Sequence, residues 1–455
     1  MYVADTIAAI ATAPGPGAIG IVRVSGPDAA RIAARVTAAA CGADTWPSHK
    51  MVRADILDPG GRRIDDGLAV LMRAPHSYSG EDVLEIQCHG SPAALQEVLR
   101  SVLAAGARPA EPGEFTKRAF LNGKLDLAQA EAVMDLVRCR TPTAASVAAD
   151  QLSGALSRHL GDLRERLIRL EGHLEVQIDF TEEDVEIDPG ATAEQAELLY
   201  RDVAALLASY QRGRVYREGL RVAITGRPNV GKSSLLNALA RANRAIVTAA
   251  PGTTRDVIEE TIDIGGVPVV VSDTAGLRRA TDEAEAIGIE RARSACVGAD
   301  LVLVVLDTST PYAEPPHWPR GPDTGQRVVV VLNKSDLPDL WSPAEIASTD
   351  AGEVVIRISA KTGAGIEDLE EAIVGQGASD RADSTPPLTN TRQRDAIAKV
   401  AASLLQASDA AAAGAPPDIV AVDVQLALQH LGAVTGEIVS DDVLDLVFRE
   451  FCMGK

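Results

Sequence analysis

Gly226-Arg227-Pro228-Asn229-Val230-Gly231-Lys232-Ser233-Ser234 follows the apolar run Leu220–Thr225 and opens a stretch, Ser233–Arg241, with the makings of a helix. A short apolar run closed by glycine reads as a buried strand. In a strand–loop–helix unit of this pattern the backbone N–H groups of the loop point inward and meet the positive end of the helix dipole. The loop therefore cradles phosphate oxygens. Gly231 lets the backbone come close, Lys232 would set its ammonium on the β- and γ-phosphates as a candidate catalytic group, and the Ser233 hydroxyl would bind Mg²⁺. The expected fold of this part is an α/β P-loop unit of the Ras-like kind.

Further elements follow in order. Asp273-Thr274-Ala275-Gly276 closes the apolar run Val267–Val271, so the Asp273 carboxylate is expected at a strand tip near the metal, acting on it indirectly. Gly276 would offer its N–H to the γ-phosphate. Thr254, in Thr253-Thr254-Arg255-Asp256, is the natural switch threonine whose hydroxyl completes the Mg²⁺ shell. Asn333-Lys334-Ser335-Asp336 follows the strand-like Arg327–Leu332. Asp336 can accept two hydrogen bonds from the edge of guanine, and adenine would leave that carboxylate desolvated and unpaired. Asn333 should brace the loop. Ser359-Ala360-Lys361, after the strand-like Val354–Ile358, would touch the base from the other side. These motifs together read as a GTP/GDP site.

Leu277 stands where many GTPases carry the glutamine that orients the attacking water. Leucine cannot do this, so hydrolysis needs another means of holding water and another source of positive charge. No arginine can be assigned that task from the sequence.

The resemblance to a known family runs nearly end to end. It includes Asp5-Thr6-Ile7-Ala8, Gly20-Ile21-Val22-Arg23-Val24-Ser25-Gly26 and Gly80-Glu81-Asp82-Val83-Leu84-Glu85-Ile86-Gln87-Cys88-His89-Gly90. It continues through Pro112-Gly113-Glu114-Phe115-Thr116-Lys117-Arg118-Ala119-Phe120-Leu121-Asn122, Lys124-Leu125-Asp126-Leu127-Ala128-Gln129-Ala130-Glu131-Ala132 and the final Phe451-Cys452-Met453-Gly454-Lys455. With these motifs the chain resembles the MnmE (TrmE) family of tRNA modification GTPases.

That resemblance implies a potassium-activated GTPase. The nucleotide shell would take in Thr248-Ala249-Ala250-Pro251-Gly252 as well as the motifs above. Asn229, Thr248, the carbonyl of Ala250 and Thr253 match the K⁺ ligands of the family, and a fixed cation there would stabilise developing charge electrostatically. Glu285 matches the catalytic glutamate that orients water through an intermediary; from residue type alone it is one of several acids on a helix. Arg23, Glu81, Lys124 and Lys455 match folate-contacting positions, for 5-formyltetrahydrofolate or a related folate. Glu81 suits the donors of a pterin edge, and Arg23 and Lys124 suit an anionic tail. Cys452 would lie near that cofactor as a further candidate catalytic residue. On residue type alone the Cys452–Lys455 tail reads as frayed. The family works with an FAD-dependent partner, MnmG, in a hetero-oligomer, the FAD being on the partner. Together they install a carboxymethylaminomethyl or aminomethyl group on carbon 5 of the wobble uridine of certain tRNAs. The family also dimerises through its amino-terminal domain.

The remainder of the chain sets bounds. Its 455 residues suggest two to four domains. Residues 1–120 alternate strand-like segments (19–24, 68–72, 83–87) with a helix at 91–104 and read as an α+β folate-binding-like and dimerisation domain. Residues 121–215 and 380–455 are helical by pattern and would form one discontinuous all-α domain, with the GTPase unit, 216–379, inserted into it. Residues 410–417 read as an alanine- and proline-rich loop between helices. The formal charge of −20 and the lack of a dense basic run imply that tRNA is gripped weakly or through the partner. Cysteines at 41, 88, 139, 296 and 452 have no metal-ligand spacing and suggest no disulfide framework, so a reducing cytoplasm is expected. No signal peptide or membrane span is expected. A ribosome-assembly GTPase working as an RNA-binding switch is the alternative; the acidic balance and the Cys452 tail speak against it. A folate carrier with a degenerate GTPase is contradicted by intact Lys232, Asp273 and Asp336. Pro16 and Met453 depart from the family pattern without removing a polar ligand.

Overall fold

The computed structural model describes residues 5–39, 45–179, 189–243, 259–273, 296–311, 326–342, 354–375, 385–452 and 454. The chain divides into two compact units, residues 1–134 with 428–455, and residues 135–427.

The first unit is built on seven strands, β1 (Ile7–Ile10), β2 (Ile19–Ser25), β3 (Thr37–Ala39), β4 (Met51–Leu57), β5 (Arg63–Met72), β6 (Val83–His89) and β7 (Arg108–Pro109). They lie in the order β3-β4-β5-β6-β2-β1-β7. Neighbours are antiparallel apart from the β1–β7 pair. Strand alternation puts Val22, Val24, Leu84, Ile86, Ala69 and Leu71 into one core. Helices α1 (Ala29–Val36) and α2 (Pro92–Ala104) cover it with Ile32, Val36, Val98 and Val102. Arg23, Glu85 and Gln87 occupy the opposite face by the same alternation.

The sequence pointed to one helix in this region, and the described residues form three, counting α3 (Glu114–Leu121). Of the two it hid, α1 buries Ala29, Ile32, Ala33 and Val36, and its small alanines blur the apolar period. The carboxy-terminal α13 (Asp441–Arg449) packs against α3, where Lys117 Nζ lies 2.7 Å from an Asp445 carboxylate oxygen. Gly113, with φ of 70°, makes that packing possible, since a Cβ there would come within 2.7 Å of the Phe448 carbonyl.

The second unit contains a six-stranded sheet of β8 (Leu220–Thr225), β9 (Glu259–Ile264), β10 (Val267–Asp273), β11 (Leu301–Asp307), β12 (Arg327–Asn333) and β13 (Val354–Arg357), in the order β13-β12-β11-β8-β10-β9. All pairs are parallel except β9–β10. That hairpin turns at Gly265-Gly266, whose φ values of 60° and 88° suit a tight two-residue connection. β11 and β12 are continuous apolar runs because both faces of a central parallel strand are buried. Helices α9 (Lys232–Ala242) and α10 (Ile366–Val374) bury Leu235, Leu239, Leu369 and Ile373 against the sheet.

The helical stretch expected from residue 121 onward is cut into α4 (Leu127–Arg138), α5 (Pro142–Leu152), α6 (Ala155–Asp179), α7 (Pro189–Ala208) and α8 (Tyr210–Glu218). The first break falls where Thr141 caps α5, its hydroxyl accepting from the Ala144 N–H, and Pro142 takes the first helical position. α6 buries Leu156, Leu160, Leu163, Leu167, Leu170 and Leu174 at the spacing of a single helical face. α11 (Thr391–Ala412) packs along α7. It extends two residues beyond the expected start of the loop at 410, because alanine favours helix until Gly414, φ 72°, turns the chain towards α12 (Pro417–Thr435). Polar contacts fasten helices to the hairpin: Thr141 Oγ1 donates to the Gly266 carbonyl (2.9 Å) and Arg140 to Thr261 Oγ1. Among the described residues no helix is long and apolar enough to cross a membrane, and no cluster of His, Cys, Asp and Glu could hold a metal ion.

Candidate functional site

In the second unit the loops after β8, β12 and β13 converge at the carboxyl ends of parallel strands, the usual ligand position in such sheets. They border a cleft of about 1010 Å³ lined by Gly231, Ser234, Asn333, Lys334, Asp336, Ala360 and Lys361. The phosphate-type loop leaves β8 through Gly226, φ 148°, where a Cβ would lie 2.3 Å from the Val305 carbonyl. Asn229 adopts a left-handed φ of 67°, a conformation asparagine tolerates better than most residues. α9 begins after Gly231 with no side chain capping its first turn, so the turn's N–H groups are oriented towards the loop. Ser233 and Ser234 lie in that turn. Val230 is buried, and its carbonyl accepts from Asn333 Nδ2 at 2.9 Å. Lys232 Nζ donates to the carbonyls of Gly226 and Arg227, 2.8 Å each, and so stands over the loop it belongs to.

Asn333, 2% exposed, is the joint of the site. While its Nδ2 holds Val230, its Oδ1 accepts from the Ala360 N–H at 3.0 Å. Ser359 Oγ donates to Asp336 Oδ1 at 2.7 Å, and the Ser335 N–H donates to the Ile358 carbonyl. The Ser359 hydrogen bond, with Lys361 and Lys334 nearby, holds the Asp336 carboxyl below its ordinary range. It is thus an acceptor at neutral pH, as base recognition requires.

The close approach that Gly231 permits is to a side chain as much as to any phosphate. Its φ is 100°, and a Cβ there would lie 2.2 Å from Asn333 Nδ2. Gly231→Ala therefore breaks the Asn333 joint and strains the backbone by ~1–3 kcal/mol. We expect GDP affinity to fall between about 5-fold and about 150-fold for a strain of that size while far-ultraviolet circular dichroism stays unchanged. A titration calorimeter giving wild-type affinity would refute this role.

Asp273 ends β10, which brings its backbone to the same edge of the sheet. Thr248, Ala249, Ala250, Pro251, Gly252, Thr253, Thr254, Thr274, Ala275, Gly276, Glu285 and Lys455 lie outside the described residues, as does the Asp273 side chain.

In the first unit, Arg23 of β2 pairs with Glu85 of β6 through Nε (2.9 Å) and Nη2 (2.8 Å), and its guanidinium faces the rings of Tyr78 and Phe115. Its Nη1 also donates to the Gly454 carbonyl at 3.4 Å. The tail is therefore not frayed at this point: Phe451 and Gly454 are buried, and a Cβ on Gly454 would meet the Ile10 carbonyl. Between them Cys452 is exposed as a free thiol. Glu81 is largely occupied within the chain, accepting from Ser25 Oγ (2.7 Å) and Arg118 Nη1 (3.1 Å). Burial pushes its carboxyl upward despite the Arg118 charge. Lys124 is exposed and donates to the Pro75 carbonyl; its stem lies beside Gly80, next to Glu81.

Two family descriptions match the chain, "GTP-binding protein TrmE N-terminus" over residues 6–124 and "MnmE helical domain" over residues 127–452. It is 46% identical to the tRNA modification GTPase MnmE of Symbiobacterium thermophilum, covering 99% of both chains. It is 44% identical to that of Chloroflexus aurantiacus (99% of this chain, 100% of the other) and 45% to that of Heliobacterium modesticaldum (100% of both). The chain belongs to the MnmE family.

Membership displaces the ribosome-assembly alternative. It also groups the two constellations. The Arg23, Glu81 and Lys124 set falls in the part matching the TrmE amino terminus, and the cleft falls in the part matching the MnmE helical domain. Two residues of this MnmE chain escaped the sequence reading. Arg118 sits in a quoted motif but gave no sign of its three carboxylate partners, Asp5, Glu81 and Glu114. Asp307 ends an apolar strand just as Asp273 does, a signal that was available in the sequence.

Proposed function

We infer that this protein is a GTP hydrolase acting in tRNA modification, activated by K⁺. It works with an FAD-dependent MnmG-type partner and a folate one-carbon donor on carbon 5 of the wobble uridine of certain tRNAs. The observation that carries the GTPase reading is Asn333, whose amide fastens the phosphate loop at Val230 to the base loop at Ala360. Asp336 selects guanine, with Ser359 aiming its carboxylate. Lys232, already oriented over the loop mouth, exchanges its carbonyl partners for β- and γ-phosphate oxygens.

Mg²⁺ supplies charge neutralisation at the phosphates; the hard oxygen donors of Ser233, Thr254 and, indirectly, Asp273 suit it. K⁺ supplies a fixed positive charge in place of an arginine; Asn229, with Thr248, Ala250 and Thr253, offers oxygen donors for it. Glu285 orients water through an intermediary, the task Leu277 cannot perform. Replacing Na⁺ with K⁺ is expected to raise GTP turnover at least ~10-fold, a small part of what preorganised charge can contribute. Equal rates in the two salts would remove the cation from the reading.

In the other unit, the aromatic-flanked Arg23 and exposed Lys124 suit an anionic folate tail, and Cys452 is accessible to what binds there. The reading includes dimerisation through this unit and weak tRNA contact shared with the partner. Cys452→Ser is expected to leave GTP hydrolysis intact while abolishing wobble-uridine modification in a deletion strain re-expressing it. Mass spectrometry finding normal modified uridine would remove the thiol from the chemistry.

A further inference from the structure

Lys334 has a left-handed φ of 66° although it carries a long side chain, and it lines the cleft beside Asp336. Its ammonium is drawn away from the cleft to Asp307 Oδ2 at 2.5 Å. Asp307 is the last residue of β11, its side chain 5% exposed, and in register with Asn333 on β12. Its other oxygen accepts from both the N–H (3.0 Å) and the Oγ (2.6 Å) of Ser309. The 307–311 segment is also joined to the segment after Asp336. Thr308 Oγ1 donates to Asp339 (2.5 Å), the Leu340 N–H to the Thr308 carbonyl, and the Trp341 indole to the Thr310 carbonyl (2.8 Å).

A free ammonium beside a neutral base would be solvated, and its side chain would sample several rotamers. Once the ammonium is tied to a buried, doubly hydrogen-bonded carboxylate, the stem is fixed and the cleft receives its methylenes as an apolar wall. We propose that Asp307 is a positioning residue for nucleotide binding: it anchors the Lys334 ammonium so that the lysine stem, not its charge, forms the wall against which the base lies. The inference rests on the GTP-site reading.

The wall makes no contact that depends on the exocyclic amino group, so its loss should weaken GDP and IDP (the inosine analogue) alike. The test is displacement of a fluorescent GDP analogue by GDP and by IDP from the full chain. Asp307→Ala is expected to weaken both about tenfold, the scale of a charged hydrogen bond lost, and to leave their ratio unchanged. KM for GTP should rise with kcat within about twofold, as for uniform binding. Asp307→Asn keeps an acceptor and should recover most of the loss. In a Lys334→Met background, neither Asp307 change should weaken binding further, since coupling exists only through the pair.

Unchanged GDP affinity overturns the proposal. So does collapse of the GDP-to-IDP ratio, which would mean that the whole base loop, Asp336 included, has moved. An equal loss in the Lys334→Met background does the same. Should Asp307→Ala not fold, Asp307→Asn with and without Lys334→Met decides the matter, a loss of about threefold being expected only with the lysine present. Wild-type protein that binds neither diphosphate would sink the GTP-site reading instead.

Discussion

Asp336→Asn is expected to change which base the protein accepts. Guanine presents N1–H and the exocyclic amino group as adjacent donors, and the Asp336 carboxylate accepts both. The substitution puts an amide N–H₂ against one of these donors and leaves guanine facing a donor where it needs an acceptor. Discrimination by polar mismatch reaches ~10⁴-fold in favourable sites, so a fall of at least ~10²-fold in GDP affinity is expected. Xanthine carries a carbonyl where guanine has the amino group, and the asparagine amide can donate to it. XDP should therefore become the preferred diphosphate. Ser359 Oγ, 2.7 Å from Asp336 Oδ1, can donate equally well to an amide oxygen, so the loop should keep its shape. Calorimetric titration with both diphosphates checks this; unaltered GDP binding would mean that Asp336 does not meet the base.

Arg118→Ala is expected to be the most destabilising single change in the first unit. The guanidinium is 2% exposed and holds Asp5 (2.6 Å), Glu114 (3.0 Å) and Glu81 (3.1 Å). Removing it strips Glu81 of this cation and leaves Asp5 and Glu114 to share Arg108 alone, which pairs with both. Breaking a buried ion pair from one side costs about 3–5 kcal/mol, and we expect that range in denaturant unfolding. A loss below ~1 kcal/mol, the scale of a surface pair, would show that water takes the place of the cation at little cost.

The effect should depend on pH. Burial raises the Asp5 and Glu114 carboxyls, but arginine contacts outweigh it and hold both below their ordinary range. Their support is complete above the ordinary carboxylate pKa and is lost as pH falls through the depressed values. Glu81, pushed up by burial, works in the opposite direction and protonates first. The gap between wild type and variant should accordingly narrow in acid.

In the GTPase sheet β8, β10 and β12 were legible because each is a short, mostly apolar run closed by a recognisable loop motif; β11, equally apolar, was not read as a strand. β4 was missed although Ala54 and Ile56 alternate with Arg53 and Asp55, the period-2 pattern of a half-buried strand, so that signal was available in the sequence. The loops flanking the cleft were legible because chemistry limits what can stand there: glycine at a left-handed turn, lysine over a phosphate, a carboxylate beneath guanine. Arg118 was not, since its partners Asp5 and Glu81 lie far along the chain and only folding brings them near; Asp307 showed its place at a strand tip but not its pairing with Lys334. Asn333 was read as a brace, but its second bond, to Ala360, requires knowing that β13 lies beside β12.

Asn333 also bears on timing. Because one buried amide links both recognition loops, the gap between them is settled when the protein folds, before any nucleotide arrives. A ligand entering such a gap has little left to organise, and the entropy of arranging the walls has already been spent. Tight binding can then coexist with a small interface. Changes that slacken this one fastening should be felt at the base and at the phosphates together, since neither end can relax alone.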